Sequence, residues 1–341
     1  MSTTQVRPSD HPNVPNPRIG VLLVNLGTPD APTAPAVRRY LAEFLSDKRV
    51  VELPRAVWLP ILHGIILNTR PGKTAQNYQK IWRSAENESP LRYYTRLQCD
   101  GLSQHLGDDV VVGWAMRYGT PSIADRINEM KSAGVTRLMV LPLYPQYSAS
   151  TTASVTDAVF DALKAMRWQP SVRIAPPFYD EPAYIAALAA SAGAYLADLD
   201  WVPEKILLSF HGIPQRYFDS GDPYHCHCQK TARLLREKMQ WTDDFAPLVF
   251  QSKFGRDKWL EPAADETIRS LGSEGVKNIA MIAPSFVSDC IETLEELDIA
   301  GREIFMAAGG EQFATIPCLN DGDEFIAAME VISRRELAGW I

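Results

Sequence analysis

Cysteine is scarce in this 341-residue chain: there are five, an odd number, at irregular spacings. That usage argues against a disulfide framework and fits a reducing compartment. Positive charge is also in short supply. The 34 basic residues are outnumbered by 41 acidic ones, for a net charge of −7. Nucleic acid is excluded as an expected partner, because binding phosphate needs a basic footprint. No apolar run is long enough to span a bilayer. The greasiest stretch, AVWLPILHGIIL at 56–67, falls well short of the roughly 20 residues a membrane helix needs. The amino-terminal segment 1–18, MSTTQVRPSDHPNVPNPR, has neither a secretory apolar core nor an arginine-rich amphipathic helix. It reads as a polar tail, and the chain as cytoplasmic. Three motifs are missing as well: G-x-x-x-x-G-K-[ST], G-x-G-x-x-G after the first strand, and G-x-S-x-G. Their absence weakens nucleotide hydrolysis, dinucleotide redox chemistry and serine-esterase chemistry as functions.

What is present is a rhythm. Short apolar runs end in turn residues at GVLLVNLG (20–27), VVVGWAMRYG (110–119), RLMVLPLYP (137–145) and SVRIAPPF (171–178). The pattern returns with KILLSFHG (205–212), PLVFQSKFG (247–255), NIAMIAPSF (278–286) and, more weakly, ATIPCLN (314–320). Runs that are apolar on both faces belong to buried parallel strands. Helix-like segments such as SIADRINEMKSAG (122–134) and CQKTARLLREKM (228–239) alternate with them, which is the signature of right-handed βαβ units. The expected fold is therefore α/β, with two similar Rossmann-like domains, each a four-stranded parallel sheet flanked by helices. The expected domains are 19–167 and 168–323, with a last helix over 324–341 packing back on the first. Residues 56–67 read, from spacing alone, as a buried helix interrupted by Pro60, with a hydrophobic lip as the sharper alternative.

In open parallel sheets, ligands bind beyond the carboxyl ends of the strands. Those positions hold Asn25 to Thr28, Arg117 to Gly119, Tyr144 to Ser148, His211-Gly212, Ser252-Lys253 and 285–292. His211 opens a βα loop, where a neutral imidazole can accept a proton or bind a metal; local backbone pairing is the plainer reading. In SFVSDCIETLEELD (285–298), Asp289, Glu292 and Glu296 follow helical spacing on one face. Asp289 with Glu292 resembles a capping box, but a cap does not account for Glu296. Stacked carboxylates facing a cleft would raise at least one pKa and suit proton uptake or a hard cation. One imidazole with carboxylates from another loop would suit ferrous iron or zinc. The HCHC run at 225–228 is too contiguous for a tetrahedral zinc site and reads as a helix start.

Taken together, these motifs resemble the ferrochelatase family. The resemblance runs from Gly20 to about Ala328 and rests on NLGTP (25–29), ESPL (88–91), RYG (117–119), YPQYS (144–148), the His-Gly-Ile-Pro turn at 211–214 leading to Gly-Asp-Pro-Tyr at 221–224, FQSKFG (250–255) and SDCIETLEELD (288–298). It implies insertion of ferrous iron into protoporphyrin IX, held in the cleft between the two domains. It assigns His211 and Glu292, backed by Glu296, to the metal and proton chemistry. Arg70, Tyr78 and Ser89 would hold the propionates, with Leu26, Arg117 and Tyr118 near the ring. Residues 56–67 would form a lip at the cleft mouth, in peripheral contact with the inner membrane. Iron is then a substrate and no cofactor is expected. The cysteine-rich tail of cluster-bearing relatives is not matched by RRELAGWI, so no iron–sulfur cluster is expected. Many relatives carry His where this chain has Cys290, which reads as an inert buried thiol. The alternatives are a coproporphyrin III ferrochelatase, a chelatase for another tetrapyrrole, and a two-domain solute-binding protein.

Overall fold

A computed structural model describes residues 16–341 except 254 and 256. The expected polar tail lies outside the described residues up to position 15, and Arg18 already opens the first strand. Among the described residues there are eight strands, seven where the apolar rhythm marks them: β1 (Arg18–Gly27), β2 (Val110–Tyr118), β3 (Val135–Pro142), β4 (Ser171–Ile174), β5 (Lys205–His211), β6 (Leu248–Gln251) and β7 (Asn278–Ile282); β8 (Gln312–Thr315) overlaps the weak run at 314–320 only in that run's first two residues. They make two four-stranded sheets, ordered β2-β1-β3-β4 and β6-β5-β7-β8. Every pairing is parallel.

Alternation along the central strands sorts their side chains into layers. Leu22 and Val24 of β1 join Ile127, Leu138, Val140, Val155 and Val159 in an outer layer under helices Ile123–Ser132 and Ser154–Lys164. Val21 and Leu23 point the other way, into a core shared with Leu208, Phe210 and Ile282 of the second sheet. Helix Pro182–Ala197 contributes Tyr184, Ile185 and Leu188 to that shared core. The two halves are thus welded by apolar burial, the dominant favourable term in folding.

Two expectations need correction. A boundary between 167 and 168 would cut the first sheet, because β4 pairs with β3 from Arg137↔Ser171 to Val140↔Ile174. The break at 165–170 is a connection inside a βαβ unit and does not separate two bodies. Nor is the 56–67 stretch a buried helix. It forms helix Arg55–Ile61, a π-helical turn Leu62–Ile66 and a last turn Leu67–Thr69. Only Leu62 and Leu67 are buried within it, against Val37, Tyr40 and Tyr78. Val57 and Ile65 are 55% and 57% exposed. The closing helix Asp323–Glu336 lies against Pro90–Leu106 and Pro182–Ala197. There Arg334 Nη2 donates to the His105 carbonyl at 2.9 Å.

Candidate active site at the carboxyl ends of the strands

His211 is the last residue of β5, delivered by a strand whose Leu207, Leu208 and Phe210 are fully buried. Its Nδ1 lies 2.6 Å from the Gly212 carbonyl oxygen. A carbonyl only accepts, so Nδ1 carries the proton, and the neutral ring keeps its lone pair on Nε2. The local backbone pairing and the functional placement therefore coexist. Gly212 must be glycine, because a Cβ there would meet the Gln251 carbonyl oxygen at 2.8 Å.

The acidic segment departs from the expected α-helix. Residues Glu292–Ala300 form a π-helix, a rare geometry that is frequent at functional sites. Asp289 is not its cap. It accepts from Thr293 Oγ1 at 2.9 Å, Asn320 Nδ2 at 2.7 Å and the Cys318 backbone N–H at 3.3 Å, which ties the loop to the segment after β8. The capping-box reading and the three-carboxylate face both fail, because tertiary partners pull Asp289 away and the backbone is not α-helical. Glu292 and Glu296 remain.

Glu296 is gripped at both oxygens by one residue. Ser252 donates its backbone N–H to Oε1 at 2.7 Å and its hydroxyl to Oε2 at 2.6 Å. Ser252 sits at φ +66, a left-handed conformation costly for a side chain and typical of functional sites. Burial raises the Glu296 carboxyl. The Ser252 hydroxyl and the nearby His211 oppose that rise, and the charge of Glu292 adds to it. The net shift is upward, and His211, Glu292 and Glu296 share one electrostatic neighbourhood. Gln251 ties the group together: its Nε2 donates to the Glu292 carbonyl at 3.0 Å, while its Oε1 accepts from Ser209 at 2.9 Å.

Glu292 also faces the first half of the chain. Burial pushes the Tyr40 and Tyr78 hydroxyls up, and the Glu292 charge pushes both further. A narrow recess here is lined by Leu26, Tyr40, Tyr78, Ser89, Cys290 and Glu292, with Ile81, Leu91 and Ile291 adding apolar wall. Gly27 closes its floor, where a Cβ would strike the Tyr118 carbonyl at 1.9 Å. Ser89 caps helix Pro90–Leu106, its Oγ accepting from the Arg92 N–H at 3.3 Å. Arg70 stands half-buried at the junction of Leu67–Thr69 with Pro71–Ile81, and burial lowers its pKa. Cys290 is buried, which holds its thiol protonated beside Glu292.

The structure does not bring Arg117 and Tyr118 into that recess. Arg117 Nη2 reaches Asp47 Oδ2 at 2.6 Å, Tyr118 donates to the same oxygen at 2.8 Å, and Ser154 Oγ donates to it at 2.5 Å. Tyr118 is fully buried below Tyr40 and Tyr78. The HCHC run occupies the first turn of Tyr224–Met239 and scatters its side chains. His225 packs on Phe250, His227 stacks on Tyr179 and accepts the Tyr147 N–H, Cys226 is exposed and Cys228 is buried. Among the described residues, no group of three or more His, Cys, Asp or Glu could hold a metal ion. A depression of about 990 Å³ lies elsewhere, between Lys48, Phe160 and Lys164. It is crossed by the Arg49–Asp157 ion pair at 2.8 Å and is lined by Asp47, Glu52, Asp157 and Asp161 with no histidine among them.

Reading from the sequence passed over Ser252, Tyr40 and Gln251 as site residues. Ser252 is legible only as a position beyond a strand end, and Tyr40 only within the helix-like segment AVRRYLAEFL at 36–45.

Two similar four-stranded parallel sheets flanked by helices define a chelatase-type architecture. The fold matches SirB from Bacillus subtilis with Fe3+, with a TM-score of 0.58 at 11% identity, covering 95% of this chain and 97% of that one. It also matches the sirohydrochlorin chelatase SirB from Bacillus subtilis subspecies spizizenii in complex with cobalt, with a TM-score of 0.55 at 10% identity, covering 94% and 95%. At such identities the likeness is one of fold. The sequence goes further. The family model described as ferrochelatase matches residues 18–337. The ferrochelatase of Rhizobium meliloti (strain 1021) is 56% identical over 335 residues, covering 98% of this chain and 99% of that protein. That of Agrobacterium fabrum is 55% identical over 336 residues, covering 98% of each. The chain belongs to the ferrochelatase family, enzymes that insert ferrous iron into protoporphyrin IX to form haem.

Proposed function

We propose that the chemistry of this insertion is carried by His211 and Glu292, with Glu296 behind them, and that protoporphyrin IX enters the recess between Tyr78 and the π-helix. The observation that carries this reading is the shared electrostatic neighbourhood of His211, Glu292 and Glu296, with Glu292 turned toward Tyr40 and Tyr78. Iron insertion exchanges one Fe2+ for the two inner pyrrole protons of the ring. His211 Nε2 takes one of them. Glu292 meets the incoming ion or relays the second proton, and Glu296 is the next acceptor along the π-helix. Because Glu296 holds a raised pKa, it can accept and release a proton nearer to neutral pH than an ordinary carboxyl. The ion must shed its water shell to enter the ring, and carboxylate oxygens are suitable transient ligands for it.

The porphyrin is an apolar disc with two carboxylates at one edge. Leu26, Ile81, Leu91 and Ile291 suit its face and vinyl groups, which favours protoporphyrin over the more acidic coproporphyrin. At the edge, Arg70 pairs with a propionate through its planar fork, and Ser89 presents the start of helix Pro90–Leu106, a favourable place for an anion. Arg117 and Tyr118 support the wall through Asp47 without touching the ring. Exposed Leu53, Val57 and Ile65 at the mouth make a surface that fits the edge of a lipid bilayer. No helix of the described residues is long and apolar enough to cross a membrane; the contact proposed is peripheral.

The test is anaerobic mixing of ferrous iron with protoporphyrin and enzyme, following the loss of free-porphyrin fluorescence. His211→Ala is expected to cut turnover by about 10²–10⁴-fold while porphyrin still binds. Turnover within a few-fold of the parent would overturn the assignment.

A further inference from the structure

An ion pair joins the two walls of the recess above Ile81 and Ile291. Lys80 Nζ donates to Glu295 Oε1 at 2.8 Å, with 46% and 14% of the two side chains exposed. Lys80 belongs to helix Pro71–Ile81, which also carries Tyr78 and begins beside Arg70. Glu295 belongs to the π-helix that carries Glu292 and Glu296. Directly beneath the pair, Ile81 and Ile291 pack against the cluster containing Tyr40 and Tyr78. Deeper in the molecule the halves are fastened differently. Gln98 Nε2 donates to Ser288 Oγ at 2.9 Å and to the Asn320 carbonyl at 2.7 Å, and Gln146 Nε2 donates to Thr231 Oγ1 at 3.0 Å. The first and third of those bonds are buried and the second is part-buried; they tie helices Pro90–Leu106 and Tyr224–Met239 to loops of the other half, so they hold the two halves at a fixed spacing. At the rim, the spacing depends on an exposed, salt-sensitive contact.

We propose that Lys80 and Glu295 are positioning residues that set the width of the porphyrin slot. They do so by holding the helix that grips the ring against the helix that carries its acid groups. This rests on the placement of the porphyrin given above. Neither side chain touches the reacting nitrogens. The pair therefore acts on how tightly the disc is clasped and leaves the proton and metal steps alone. An exposed pair is a weak device, and its reach in solution is about a Debye length, roughly 10 Å at 0.1 M salt. A modest, salt-dependent effect follows.

The test measures steady-state haem formation at low and at high ionic strength for Lys80→Ala, Glu295→Gln, each charge reversal (K80E, E295K) and the exchanged double variant K80E/E295K. Arg70→Ala is included as a control. The expected result is a porphyrin KM raised about two- to five-fold in the neutral variants and further in each reversal, with kcat within two-fold of the parent. The exchanged double variant returns toward the parent, and high salt erases the differences. A double variant no better than the worse single reversal would overturn the proposal. So would a rise in the KM for iron with that for porphyrin unchanged, since Glu295 would then be collecting cations. If Arg70→Ala raises porphyrin KM and the rim variants do not, the rim proposal alone fails. If none of them moves it, the placement of the porphyrin fails as well.

Discussion

The two halves of the molecule repeat one sheet, with strand orders β2-β1-β3-β4 and β6-β5-β7-β8, yet they end their strands in opposite ways. At the end of β2, Asp47, which follows helix Ala34–Ser46, is a half-buried carboxylate with every need met. Burial works to raise its pKa, but hydrogen bonds from Ser154, the Arg49 N–H and Tyr118, together with the charge of Arg117, outweigh it and hold the group below its usual range. Beyond β6, Glu296 is more deeply desolvated than Asp47, and its helpers do not prevail. Ser252 and His211 pull its pKa down, Glu292 pushes it up, and the net shift is upward. A carboxylate whose charge is fully compensated is a brace. One left partly uncompensated can trade a proton. On the proposed placement of the porphyrin, the first half supplies a wall for the ring and the second supplies the chemistry.

The sharpest separation of wall from chemistry comes from Arg70. On the proposed placement, Arg70→Ala takes away a charged hydrogen-bonding partner of the propionate worth about 1.5–3 kcal/mol. Porphyrin KM is expected to rise about 10- to 100-fold, with kcat largely kept, as read by initial rates over a range of porphyrin concentrations. Asp47→Asn comes next. It leaves Arg117, whose side chain is only 18% exposed, without its carboxylate partner. A loss of about 2–3 kcal/mol in urea denaturation at neutral pH is expected. Asp47 has a depressed pKa, so its stabilisation exists above the ordinary carboxylate range and fades as pH falls through its folded value. The gap between parent and variant should therefore close in acid. The smallest effect has the opposite sign. Glu296 has a raised pKa, so the folded chain holds that proton more tightly than the unfolded chain does. Folding then loses stability as pH climbs from the ordinary carboxylate value through the raised one. Glu296→Gln is expected to melt about 1–3 °C higher than the parent at pH 8, with the gain gone at pH 4, while its turnover falls. A lower melting point at pH 8 would place Glu296 with the braces.

Most of the fold was legible because the strands are buried on both faces. Val21, Leu22, Leu23 and Val24 are all fully buried, and such a run has few other structural readings. The allegiance of β4 was not, since its four residues pair with a strand that lies some thirty positions earlier and the turn before it carries the same signals as a domain linker. His211 and Glu292 were visible as polar groups placed just beyond apolar runs. The π-helix was not, because side-chain spacing alone does not reveal an extra residue per turn. The role of Asp289 was hidden too, since its partners Cys318 and Asn320 arrive from a distant loop. Ser252 adopts its left-handed backbone without glycine or asparagine to announce it. In the 56–67 stretch, composition could not say which side chains face Tyr40 and which face outward.

One measurement bears most directly on the division between wall and chemistry: a crystal structure of the enzyme with protoporphyrin bound and no iron added. The expected density places the four pyrrole nitrogens between His211 and Glu292, with the propionates directed at Arg70 and Ser89. A ring seated in the depression beside Asp47 and Phe160, or with its nitrogens out of reach of His211, would contradict it.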